Sequence, residues 1–160
     1  MAQSDQNEFT RWGLLGVIPL LVTVVSLWLS PWIIPQHIAI DFAWGALIYL
    51  GIVIGFLTGV SAGLDMHPQN PFRPFMPHAL IIAVTVAALL PSGFLFFSLP
   101  FAWRFVVIIV VLFYILLRDL DASASARAPT WYGQLRTRLS FWVGLSATLI
   151  ILRLFFWGMY

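Results

Sequence analysis

Long apolar stretches, each close to the thickness of a bilayer and each ended by proline or charge, constrain this chain more than any other feature. Residues 12–30 contain no charged side chain, and neither do residues 42–64. About 20 mostly apolar residues in a helix cross a hydrocarbon layer of about 30 Å. Lipid offers the backbone no hydrogen bonds, so a helix, which satisfies its own, is the default for such a run. Composition points the same way. Of 160 residues, 61% are hydrophobic and 9% charged, against about 45–50% and about 25% in soluble domains. So few polar groups cannot cover a soluble domain, and most of the surface must face lipid.

The expected architecture is an all-α, polytopic transmembrane bundle of five helices. It occupies residues 1–160 as one domain, with spans at 12–30, 41–64, 76–97, 101–117 and 139–157. Pro31 and Pro35 end the first span. The loop after the second carries Asp65, His67, Gln69, Asn70 and Arg73 among Pro68, Pro71, Pro74 and Pro77. Prolines at that density keep a segment extended or turning. Pro91-Ser92-Gly93 is a turn signal, but a stop there leaves a short third helix. Pro91 is therefore read as a kink, with the helix continuing to residue 97. Residues 121–129, rich in Ala and Ser, read as a loop, and Trp131-Tyr132 marks the return to the interface, where amphipathic aromatics sit. The first residues are polar without a basic segment, and the run after them exceeds a signal peptide's core, so the first helix is read as retained.

Arginine placement sets the expected orientation. With five spans, Arg11, Arg73, Arg118, Arg127, Arg136 and Arg138 share one side, and Arg104 and Arg153 lie on the other. The positive-inside bias makes the N-terminus cytoplasmic, or matrix-facing in an organelle, and the C-terminus external. The expected location is a bacterial inner (plasma) membrane, or the mitochondrial inner membrane of a eukaryote. No basic run with interleaved aromatics supports a nucleic-acid partner. The chain has no cysteine, which excludes disulfides, iron–sulfur clusters and thiolate zinc sites.

Several short elements resemble the transmembrane-protein-69-like family of membrane proteins, known as domain of unknown function 3429. They are Leu15-Gly16-Val17-Ile18-Pro19, Trp44-Gly45-Ala46, Phe56-Leu57-Thr58-Gly59 and Arg118-Asp119. The most specific is Pro129-Thr130-Trp131-Tyr132, followed by Leu135-Arg136 and Leu139-Ser140. The likeness runs from about Arg11 to Arg153. The chain departs from the family at Thr58-Gly59-Val60-Ser61-Ala62-Gly63, where relatives tend to carry Gly-Gly and then a basic or His residue before Trp-Gly. The resemblance implies a small helical membrane bundle and brings no established activity.

Three groups of residues stand out. Gly51, Gly55, Gly59 and Gly63 repeat every four positions, which places them on one helix face where another backbone can approach. The plainer expectation is tight packing inside the bundle; the sharper one is a docking face for a partner helix or a second copy. His37, Asp41, Arg104 and Arg153 share a depth near the external side. A membrane charge is costly unless paired or snorkelling, so Asp41 is expected to pair with Arg104 or Arg153. On the arginine-rich side, Asp65, Arg73, Arg118, Asp119 and Arg136 are candidates for interfacial ion pairs. The element at 129–136, with Trp131 and Tyr132, is expected to fold back so that Arg136 meets Asp119 or Asp65.

Chemistry finds little to build on. His37, His67 and His78 all lie outside the middle of a span, which does not suit a bis-His haem site, and their spacing matches no metal pattern. No Ser-His-Asp order, phosphate loop or intramembrane carboxylate pair is present. The expectation is a non-enzyme with no cofactor and no metal. Its partners are the lipid bilayer and other membrane subunits or a second copy, in an accessory, assembly or interaction role. The alternative is a small transporter or channel, as a homodimer, using Thr58, Ser61, Thr85 and the break at Pro91. An enzyme acting on lipid or quinone ranks third, and a groove holding Asp65, His67 and His78 together would favour it.

Overall fold

The computed structural model describes residues 11, 13, 15–65, 75–90, 99–124 and 130–158. Five helices follow in order: α1 (Ile18–Leu29), α2 (Gln36–Asp65), α3 (Phe75–Leu89), α4 (Phe101–Ala124) and α5 (Thr130–Phe156). Among the described residues there is no strand, and the fold is an all-α bundle. His67, Arg73, Arg127, the kink at Pro91 and the continuation to residue 97 lie outside the described residues, as does the side chain of Trp131.

Helices α1, α2, α4 and α5 close a ring in which each touches the next, and α3 lies against α2 and α4. The inner face of α2 is built from Ala39, Ala43, Ala46, Leu50, Ile54 and Leu57, all buried. This spacing of three and four residues keeps one stripe against the neighbouring helices. Outward surfaces are just as apolar: Ile52, Phe56, Val110, Phe113 and Phe141 are each well exposed. A surface of this kind is stable in lipid and would aggregate in water. Three helical segments, Gln36–Gly63, Phe101–Ala124 and Tyr132–Phe156, are long and apolar enough to cross a membrane. The chain is a membrane protein.

The helix ends differ from expectation in instructive ways. Helix α1 has 12 residues, about 18 Å at 1.5 Å per residue, shorter than the expected span of 12–30. The cause is Pro19. It has no N–H to return to the preceding turn, and the backbone at Gly16 and Val17 is a turn instead. Pro19 then serves in the first turn of α1, where a missing donor costs nothing. Helix α2 begins at Gln36, five residues ahead of the expected Asp41, because the Pro35 carbonyl already accepts from the Ala39 N–H at 3.2 Å. Helix α4 continues past Arg118 and Asp119 to Ala124, and α5 starts at Thr130 rather than at 139. Charge ends the apolar stretch there without ending the helix. Helix α3 stops at Leu89.

Candidate functional site

Each of the two short helices hands its last carbonyls to an arginine from a long one. A helix C-terminus leaves up to four carbonyls unpaired and carries partial negative charge. At the end of α3, Arg104 of α4 donates through Nη1 to the Ala88 carbonyl at 3.2 Å and to the Leu90 carbonyl, and through Nε to the Leu99 carbonyl at 3.1 Å. Its guanidinium also lies 5.4 Å from the Trp44 ring centre. At the end of α1, Arg153 of α5 donates through Nε to the Leu27 carbonyl at 3.1 Å and through Nη2 to the Ser30 carbonyl. Trp157 and Trp28 flank it at 4.9 and 5.7 Å.

This arrangement corrects the expected pairing of Asp41. Among the described residues no ion pair joins Asp41 to Arg104 or Arg153, and Asp41 and His37 are both exposed. Orphaned carbonyls that lipid cannot satisfy compete for the guanidiniums and win, because several fixed acceptors outweigh one carboxylate free to be solvated.

The opposite end of the bundle is held by charge. Arg136 Nε meets Asp119 Oδ2 at 2.7 Å, and both side chains are buried. The Tyr132 hydroxyl donates to the same oxygen at 3.3 Å. Arg118 pairs with Asp65, and His78 Nε2 lies 4.0 Å from Asp65 Oδ2. Residues 130–136 of the expected element form the first two turns of α5 and meet α4 through Arg136; Pro129 lies outside the described residues. Gly133 permits the approach: a Cβ there would stand 3.1 Å from Ser123 Oγ on α4.

The glycines divide. Gly51 is buried, and a Cβ on it would come within 2.5 Å of Leu89 Cδ1 of α3. Gly55, Gly59 and Gly63 are exposed, with no described atom within 4 Å of a built Cβ. Packing inside the bundle is therefore the role of Gly51 alone. The reason is angular. Four residues turn a helix by about 400°, so the ladder drifts about 40° per step and Gly63 sits about 120° from Gly51. The strip that seats α2 in the bundle is the alanine and leucine series instead.

Between α1, α2, α4 and α5, in the half of the bundle nearest the Arg136–Asp119 pair, lies a cavity of about 320 Å³. Leu20, Leu50, Val53, Leu112 and Val143 make most of its wall apolar, and Tyr49, Arg136 and Ser140 supply the polar edge. Sequence reasoning missed it, because its lining is scattered: Leu20 of α1 with three residues just ahead of that helix, five residues of α2, four of α4 and five of α5. Tyr49 carries the one local signal: its hydroxyl donates to the carbonyl of Gly16, which the break before Pro19 releases from the helical ladder.

The family model described as protein of unknown function (DUF3429) matches residues 6–152. The chain belongs to that family. The match covers all five helices of this DUF3429 member except the last turn of α5, and so includes both arginine caps' acceptors, the charged end and the cavity. The transmembrane-protein-69-like label is no part of the family's description. No curated protein and no solved structure matches the chain.

Proposed function

We propose that this DUF3429 member is a non-enzymatic subunit of a larger membrane complex, serving in its assembly or as an accessory that one partner helix recognises. The observation that carries the reading is the outward turn of Gly55, Gly59 and Gly63 on α2, with open space where each Cβ would be. Glycine on a lipid-facing surface forfeits dispersion contact with the acyl chains, and a closely approaching helix restores it. The reading places the protein in a bacterial inner membrane or a mitochondrial inner membrane. The arginine-rich end faces the cytoplasm or matrix, as the positive-inside bias suggests.

Extraction of the tagged protein from its native membrane in mild detergent tests this, with co-migrating proteins identified by mass spectrometry at native size. A second subunit at fixed ratio is expected, and it should be lost from a Gly55→Leu, Gly59→Leu variant whose own fold has room for both side chains. A lone monomer would sink the proposal. A homodimer disrupted by the same variant would replace the heterologous partner by a second copy.

A further inference from the structure

We infer that the cavity beside Arg136 is a binding site for a single-chain lipid whose head is an uncharged carbonyl. Arg136 is the only Asp, Glu, Lys or Arg among the described residues lining it, and its side chain is 6% exposed. Nε is occupied by Asp119 Oδ2, while Nη2 is buried and meets no acceptor among the described residues, and Asp119 Oδ1 is likewise buried and meets no donor there. A guanidinium has five N–H donors and no acceptor, so the unmet requirement is an oxygen acceptor.

The charge balance selects the kind of acceptor. Asp119, 1% exposed, already neutralises Arg136 at 2.7 Å. A second anion would place an uncompensated negative charge in a low-dielectric interior, whereas a carbonyl oxygen takes the free N–H without adding charge. Ser140 lines the same edge and can donate or accept. Tyr49 has committed its proton to Gly16, so its oxygen remains as an acceptor.

The rest of the cavity suits a tail. It runs along α5 from Arg136 to Gly144, eight residues or about 12 Å, from the charged end toward mid-bundle, and apolar side chains make most of its wall. Its volume of about 320 Å³ falls in the range of ligand pockets, about 300–1,000 Å³. Phe56 and Phe113 line it and are themselves 70% and 59% exposed, so these two rings mark the open side. A lipid can enter there from the bilayer without crossing water. An acyl glyceride and a prenyl quinone both combine an apolar chain with an uncharged carbonyl, and the experiment separates them.

The full-length protein in detergent would be photolabelled with a monoacylglycerol carrying a diazirine in its chain, and the labelled peptides mapped. Labelling is expected on the α1 and α5 peptides that line the cavity, and unlabelled neutral lipid should compete for it. Competition by a monoacylglycerol at lower concentration than by a prenyl benzoquinone identifies the glyceride as the natural class, and the reverse order identifies the quinone. Gly144→Leu fills the cavity at a position where a Cβ meets no described atom, and should cut cavity labelling at least about tenfold, the equivalent of 1.4 kcal/mol. Label at the outward residues Ile82 and Val110 should not change. Arg136→Leu combined with Asp119→Leu removes the head contact without stranding a charge, and should weaken competition similarly in a protein that still elutes as a single species. The inference is overturned if cavity peptides label no more than outward ones, if no neutral lipid competes, or if an anionic lysophospholipid competes better than either neutral lipid.

Discussion

The hydroxyl of Tyr49, midway along α2, donates to the carbonyl of Gly16, just ahead of α1. That carbonyl is available because the Leu20 N–H bonds to Val17 at 3.0 Å instead of reaching Gly16. The contact satisfies a carbonyl that the break ahead of Pro19 leaves outside the ladder, and it ties the start of the first helix to the middle of the second. Tyr49→Phe keeps the ring and removes the donor. A buried carbonyl left unsatisfied costs about 1–3 kcal/mol, and the Gly16 carbonyl is only partly buried, so the variant should melt earlier in detergent by an amount toward the low end of that range. An unchanged melting temperature would mean that water or lipid replaces the phenol.

Removing a capping arginine should cost more than removing the exposed carboxylate first expected to pair with it. Arg104→Leu strands three carbonyls and Arg153→Leu two. At about 1–3 kcal/mol for each group left unmet, both should lower thermal stability, Arg104→Leu the more. Asp41→Asn should stay within about 0.5 kcal/mol of the parent, as surface changes do. Thermal unfolding of the three purified variants, side by side, gives the ranking.

The buried pair at the other end makes a different prediction. Arg136→Leu leaves Asp119 buried without its partner, a loss of about 3–5 kcal/mol, whereas replacing both with leucine is often neutral or favourable. The double variant should therefore recover most of what the single one loses. Equal stability of single and double variants would show that Asp119 draws its compensation from Tyr132 alone.

Gly51 and Gly55 differ by one step of the ladder and should respond in opposite directions. At Gly51 a larger side chain collides with Leu89, so Gly51→Leu should separate α2 from α3 and destabilise by about 1–3 kcal/mol. Gly55→Ala meets open space and should gain up to about 1 kcal/mol from helix propensity. Melting temperatures of the two variants decide it, and a Gly55→Ala variant that is less stable would place an unseen neighbour against that face.

The physical class was legible from the apolar runs alone, because lipid leaves a chain almost no alternative to helix. The Arg136–Asp119 contact was half legible: the sequence offered Arg136 either Asp119 or Asp65, and the structure gives it Asp119 while Asp65 pairs with Arg118. Helix ends were read less well. Arg118 and Asp119 looked like a stop, yet their charges find partners inside the bundle and the helix runs on. The destination of Arg104 and Arg153 was hidden for another reason: their acceptors are backbone carbonyls, and any residue type supplies those. A side-chain carboxylate such as Asp41 is conspicuous in a sequence, while the end of a short helix is not.

The cap on α1 also bears on how the protein is made. Leu27 and Ser30 leave the ribosome more than a hundred residues before Arg153, which then supplies their hydrogen bonds. A helix of about 18 Å with an uncapped end is a poor resident of a bilayer on its own. Its settled position thus waits on α5, the helix whose Arg153 fastens a segment made more than a hundred residues earlier.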